Sequence, residues 1–199
     1  MRILAFSDLH RDREAAQNLV VASANADVVV GAGDFATHGR GMSDTLEILV
    51  AISVPFIVIA GNHDDLDALR AEMRARSNVH VLHGEAVTLS GTMFFGLGFE
   101  IGVKPGALPQ SIIDETEAAR LLNRCPQGTV LITHSPPFGL ADVQRDGSHQ
   151  GSHAIRDCIE KSAPVLNLCG HIHNAWGTSG RAGNCRVHNL GPTVNWFDA

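Results

Sequence analysis

The sequence predicts an α/β fold in which a mixed pair of sheets carries helices on the outside. Three observations lead there. Short apolar runs alternate with longer amphipathic segments along most of the 199 residues, the pattern of parallel strands joined by helical crossovers. The runs are brief, rich in branched or aromatic side chains, and closed by polar residues or glycine, as buried strands are. Nearly every parallel run also ends in residues able to bind metal, at the strand ends where α/β sheets hold their ligands.

In chain order, Ile3–Phe6, Val28–Ala32, Phe56–Ala60, Val130–Thr133 and Val165–Cys169 each read as a buried strand. Between them, Asp12–Ala22, Ser43–Ile52, Asp64–Arg76, Asp114–Asn123 and Ser152–Lys161 read as helices. Val79–Leu82, Ala86–Leu89, Thr92–Leu97 and Cys185–Leu190 read as further strands with short connections, and Ser90-Gly91 as a hairpin turn. The stretch Gly102–Pro109 reads as a loop, because strand and helix patterns resume at once. One domain over residues 1–199 accounts for the whole pattern, with no internal repeat and no low-complexity tract.

Composition narrows the function. Apolar residues make up 44% of the chain, enough for a sizeable core without disulfides. The net charge of −6 argues against a grip on long nucleic acid, which calls for a basic face. The cysteines, at 125, 158, 169 and 185, lack C-x-x-C spacing and read as reduced, buried thiols of a cytoplasmic protein. The first apolar run is too short for a signal core of about 7–15 residues. No run approaches the ~20 apolar residues of a membrane span, so no membrane is expected as a partner.

The chemistry sits at the strand ends. The first strand runs into Asp8-Leu9-His10, the second into Gly33-Asp34, and the third into Gly61-Asn62-His63-Asp64. The fourth runs into His134-Ser135-Pro136 and the fifth into Gly170-His171-Ile172-His173. Residues two apart, as in Asp8-x-His10 and His171-x-His173, point the same way if the chain stays extended. Glycines at 33, 61 and 170 let the backbone turn beside the site without a clashing Cβ. Carboxylate, amide and imidazole donors together suit Mn, Fe, Zn, Co or Ni rather than Ca or Cu(I). Each piece alone has a structural alternative. Asp8 could cap the helix near Asp12, Asp34 could be a turn residue, Asn62 could hold a left-handed turn, and His134 could be a satisfied buried histidine. Five such blocks in order, each after an apolar strand, argue for a site.

The series Asp8-x-His10, Gly33-Asp34, Gly61-Asn62-His63-Asp64, His134 and Gly170-His171-x-His173 resembles the calcineurin-like metallophosphoesterase superfamily. The resemblance spans residues 8–173 and departs from the family pattern at none of these positions. His134-Ser135-Pro136-Pro137, followed by Arg145-Asp146-Gly147-Ser148-His149-x-Gly151-Ser152, is similar to one compact bacterial and archaeal branch. The resemblance implies a four-layer α/β/β/α sandwich with two divalent transition-metal ions at its strand ends. It implies that one ion takes Asp8, His10 and His173, the other Asn62, His134 and His171, and that Asp34 bridges both. It implies that His63 faces the substrate phosphorus and that Asp64 orients it.

The expected chemistry is hydrolysis of a phosphomonoester or phosphodiester by a hydroxide shared between the ions, with His63 steadying the phosphate or protonating the leaving oxygen. Arg145 and His149 are the candidate substrate contacts; His153, His38 and Arg40 could serve in the same way, with a surface or loop role as the alternative for each. His80, His83 and His188 read as structural or surface residues, and Asn189-Leu190-Gly191-Pro192 as a structural turn. Ser135 lacks the G-x-S-x-G setting of a nucleophile, and H-E-x-x-H is absent. The expected partner is a small phosphate ester or nucleotide. A metal-binding scaffold of the same fold without catalysis is the alternative; a complete two-metal site counts against it.

Overall fold

The computed structural model describes residues 1–102 and 111–199. The expected loop Gly102–Pro109 lies outside the described residues beyond Gly102. Two large mixed sheets face each other. The first has the order β13-β1-β2-β3-β4, with β1 Arg2–Phe6, β2 Val28–Gly31, β3 Phe56–Val58, β4 Val79–Val81 and β13 Asn195–Asp198. Strands β1 to β4 are parallel, and β13 runs antiparallel along β1. The second has the order β11-β12-β10-β9-β6-β5, with β5 Glu85–Leu89, β6 Thr92–Leu97, β9 Val130–Thr133, β10 Leu166–Cys169, β11 Ser179–Ala182 and β12 Cys185–Asn189. Here β6, β9, β10 and β12 are parallel, while the outer strands β5 and β11 are antiparallel. A two-residue pair, β7 Glu100–Ile101 and β8 Ile112–Ile113, stands apart.

The period of two along the strands builds the layers. Leu4 and Phe6 face outward onto α1 Arg13–Ser23, α2 Met42–Leu49 and α3 Leu66–Met73, in a core with Leu19, Leu46 and Leu69. Their neighbours Ile3 and Ala5 face inward and meet Phe94, Val130, Ile132, Leu166 and Leu168 of the second sheet. Phe95, Leu131 and Val187 then face away, onto α4 Glu115–Leu122 and α5 His153–Ser162. Both faces of the central strands are therefore dry, which is why they read as unbroken apolar runs. The result is helices, sheet, sheet, helices: the expected four layers.

Helix starts follow side-chain caps. Asp12, Asp65, Asp114 and Ser152 accept the backbone N–H of Ala15, Ala68, Glu117 and Ile155 in turn. The third helix begins at Leu66 rather than Asp64 because Asp65 takes the cap. Asp8, which could have capped the first helix, does not; Asp12 does. Ser90 and Gly91 both have positive φ, 48° and 84°, and join β5 to β6 as expected. All four cysteines are free and buried, and all belong to the core under α4 and α5. His83 packs on Phe99 and His188 on Phe197, at ring distances of 4.6 and 4.9 Å, in keeping with structural roles. No described helix is long and apolar enough to cross a membrane.

Candidate metal centre

The carboxyl ends of β1, β2, β3, β9 and β10 converge at one end of the sandwich. The assumption of extended chain fails there. Asp8, His10, Asp34 and His171 have φ of 55°, 45°, 60° and 68°, all left-handed, and Asn62 does not. Aspartate and histidine tolerate that region better than most residues, but at a cost. The left-handed turns fold each strand end back on itself and aim the side chains at one point. Gly33, at φ 95°, gives the close approach this needs: a Cβ there would lie 2.6 Å from Gly61 N and 2.7 Å from His134 Nδ1.

Two groups of donor atoms result. In one, His10 Nε2 lies 3.1 Å from His173 Nε2, and Asp8 Oδ1 lies 3.9 Å from the same His173 nitrogen. In the other, Asn62 Oδ1 lies 2.9 Å from His134 Nε2 and 3.0 Å from His171 Nδ1. Asp34 sits between them: its Oδ2 is 3.5 Å from His10 Nε2 and 3.4 Å from His134 Nε2. Its other oxygen accepts the His63 backbone N–H at 2.8 Å, so one oxygen is left to face both groups.

The donor set fits a metal. His10 Nδ1 and His134 Nδ1 lie 3.0 and 2.8 Å from the carbonyl oxygens of Ala36 and Ala32. A carbonyl only accepts, so each Nδ1 carries the proton and each Nε2 offers a lone pair, the arrangement metal-bound histidines use. His134 Nε2 then points at the Asn62 oxygen at 2.9 Å, a pair that either a proton on Nε2 or a metal ion held by both atoms satisfies. Burial alone would lower the His134 pKa, but Asp34, Asp8 and the Ala32 carbonyl push it up to about 10. The pocket thus draws positive charge. Burial pushes Asp34 up, yet His134 and His63 together bring it well below the carboxylate range. Asp8–His10–His173, His10–Asp34–His63 and Asp8–Asp34–His134 each bring their donor atoms within 4.8 Å of one another. The site draws on both sheets.

His63 and Asp64 separate in role. The His38 backbone N–H donates to His63 Nδ1 at 2.7 Å, so the neutral ring carries its proton on Nε2. Burial lowers the His63 pKa and Asp34 opposes this only in part. The His38 ring also packs against it at 4.7 Å. Asp64 does not orient this ring. Its carboxylate is buried and accepts the backbone N–H of Asp34, Phe35, Ala36 and Gly61 at 2.8, 3.3, 2.8 and 2.9 Å. It holds the β2 and β3 loops together and so fixes Asp34. Burial and Asp34 push its pKa up to about 6, against those donors. Asp64→Ala is expected to destabilise the metal-free protein by about 3 kcal/mol, since several buried N–H groups lose their acceptor. Urea unfolding measures this, and a cost under about 1 kcal/mol would contradict the role.

A cleft of about 320 Å³ opens over the centre, lined by Asp34, Asn62, His63, Gln144, His171, His173 and Asn174. Gln144 and Asn174 escaped the sequence reading: both are uncharged, Gln144 in a loop and Asn174 in the short 3-10 turn after the last motif. Arg145 stands behind them, its Nε donating to Asn174 Oδ1 at 3.1 Å, while Asn174 Nδ2 donates to Gln144 Oε1 at 2.7 Å. His149 is not among the lining residues. Its Nδ1 lies 2.7 Å from Asp142 Oδ1, and buried Asp142 also accepts the N–H of Gly139 and Gly151. His149 thus helps shape the loop. His153 stacks on Phe138 at 4.1 Å, and Arg40 is exposed. Glu100, also absent from the sequence reading, is buried with Oε1 3.6 Å from His171 Nε2. The Asn189–Gly191 turn supports the site: Asn189 Nδ2 donates to Ala141, Gly170 and Ile172 carbonyls, and Gly191 N–H to Ser7 Oγ.

Known proteins resemble this chain in sequence and in fold. A UPF0046 protein of Caenorhabditis elegans is 26% identical over 89% of this chain and 65% of its own length. A probable glycerophosphodiester phosphodiesterase of Arcobacter nitrofigilis is 27% identical over 74% of this chain and 56% of its own. The chain therefore matches just over half to about two thirds of these relatives' length. Among solved structures, the protein TT1561 of Thermus thermophilus superposes with a TM-score of 0.77 at 19% identity, over 99% of this chain and 98% of that one. A dimetal phosphatase of Danio rerio superposes with a TM-score of 0.63 at 12% identity, over 96% and 88%. These share the fold. The model of the calcineurin-like phosphoesterase family matches residues 1–175, and the chain belongs to that family.

Proposed function

We propose that this protein hydrolyses a small phosphomonoester or phosphodiester, with two divalent transition-metal ions held at the strand ends. The observation that carries this reading is Asp34 Oδ2, placed 3.5 and 3.4 Å from the Nε2 atoms of His10 and His134. One such oxygen between two donor groups suits a bridging ligand. On this reading Asp8, His10 and His173 hold one ion; Asn62, His134 and His171 hold the other. Mixed imidazole, carboxylate and amide donors suit Mn, Fe, Zn, Co or Ni. Bound ions of this kind activate water for attack on phosphorus and neutralise phosphate oxygens.

The chain's own residues supply the rest. His63, with its proton fixed on Nε2 by the His38 N–H, presents a donor to a phosphate or leaving oxygen. Gln144, Asn174 and, behind them, Arg145 offer polar contacts at the rim of the cleft. The net charge of −6 favours a small metabolite or nucleotide over a long nucleic acid. Residues 1–199 act as one domain, and four free thiols suit a reducing, cytoplasmic setting.

Reconstitution tests the reading. Metal-free protein dialysed against Mn²⁺ is expected to take up about two ions per chain and to gain hydrolysis of aryl phosphate mono- or diesters, lost again on chelation. Saturation at one ion, with the fold intact by circular dichroism, would refute the two-ion centre. Two bound ions without turnover on monoesters, diesters or cyclic nucleotides would favour the scaffold.

A further inference from the structure

We infer that Trp176 is a positioning residue for the Asp8/His10/His173 half of the centre. The inference rests on the two-ion reading. Trp176 follows the short 3-10 turn His173–Ala175 and touches two of that half's ligands with different parts of one side chain. Its indole Nε1–H donates to Asp8 Oδ2 at 3.1 Å. Its ring packs against the His173 imidazole at a centroid distance of 4.3 Å and an interplanar angle of 33°. Gly191 seats the indole from another side: a Cβ on Gly191 would lie 2.9 Å from Trp176 Cγ.

Each contact has a consequence for the ligand it touches. Asp8 Oδ2 also accepts from Ser7 Oγ, while the His171 N–H is shared between Oδ2 at 3.2 Å and Oδ1 at 3.1 Å. Oδ1, the oxygen 3.9 Å from His173 Nε2, carries only that shared bond and keeps a lone pair for an ion. With Ser7, the indole N–H loads Oδ2 with donors and so favours Oδ1 as the ligand. His173 has a different need. His10 and His134 are each oriented by a carbonyl on Nδ1, and the His171 ring has Glu100 3.6 Å from its Nε2. Among the described residues His173 Nδ1 has no such partner, and the His173 side chain is about half exposed. Packing against Trp176 takes the place of the missing hydrogen bond and limits the ring to one orientation. Outer contacts of this kind typically change metal affinity about 10–100-fold.

Equilibrium dialysis at buffered free Mn²⁺, with ions counted per chain, tests this on the 199-residue protein. Wild type is expected to bind two ions. Trp176→Phe keeps the packing and loses the N–H; one of the two ions is expected to weaken by roughly 10-fold. Trp176→Leu loses both contacts, and the same ion is expected to weaken by roughly 100-fold, with the other unchanged within about threefold. The metal-free variants are expected to keep the wild-type circular dichroism spectrum. Equal weakening of both ions would mean general loosening and would overturn the inference, as would unchanged affinity in both variants. Wild type saturating at one ion would refute the two-ion reading instead. Trp176 would then still be tested by whether Trp176→Phe weakens that single ion.

Discussion

Asp34→Asn is expected to abolish hydrolysis, by at least about 100-fold, and to strip the centre of one or both ions while the sandwich stays folded. The reason is local. Asp34 Oδ2 alone faces both donor groups, and Oδ1 is committed to the His63 N–H. An asparagine that keeps its oxygen on the His63 N–H must turn its NH₂ toward the two Nε2 atoms. That replaces an anionic acceptor with a neutral donor, pointed at the place where cations would sit. Asp34 is also the group that drives the His134 pKa upward, so its loss removes much of the pocket's attraction for positive charge. Metal content and turnover on one preparation measure the effect. Activity within a few-fold of wild type would show that Asp34 does not bridge.

His63→Ala is expected to separate binding from chemistry. His63 lies within reach of His10 and Asp34, but its Nδ1 is taken by the His38 N–H and only Nε2 is available to the cleft. If that nitrogen carries a proton for the leaving oxygen, turnover falls by roughly 10²–10⁴-fold while about two ions remain. The fall is largest for an alkyl phosphate, whose leaving oxygen needs a proton as the bond breaks. It is smaller for a nitrophenyl ester, whose leaving oxygen is stable as an anion. Equal losses on both substrates would assign His63 to phosphate positioning. Loss of ions together with activity would make His63 a ligand through Nε2.

The central strands and the five α-helices of the described residues were legible because their signals are local. Val130–Thr133 matches its expected bounds, since a run buried on both faces is apolar throughout. Edge strands β4 and β5 were legible too, but β11 and β13 were not. Ser179–Ala182 and Asn195–Asp198 are polar, half-exposed segments that become strands only by pairing with β12 and β1. The site divides the same way. Its candidate ligands stand in short motifs, but the backbone that aims them is left-handed, not extended. Asp64 carries the motif's look of a partner for His63, yet its bonds go to the β2 and β3 loops, a distinction set by tertiary geometry. Glu100 and Gln144 reach the centre from segments remote from any ligand motif, while Asn174 and Trp176 follow His173 directly but are of residue types that the motif does not call for.

That the donors come from both sheets bears on how the chain is made. On the proposed assignment each ion needs a residue before position 63 and another after position 133. A ribosome adding about 5–20 residues per second needs roughly 5 to 20 seconds to travel from His63 to His173. During that interval the emerging chain lacks His173 for one ion and His171 for the other, so neither ligand set is complete. The last ligand, His173, precedes β11, β12 and β13, which complete one edge of each sheet. On the proposed assignment, full coordination of either ion therefore waits until the turn after β10 has been made.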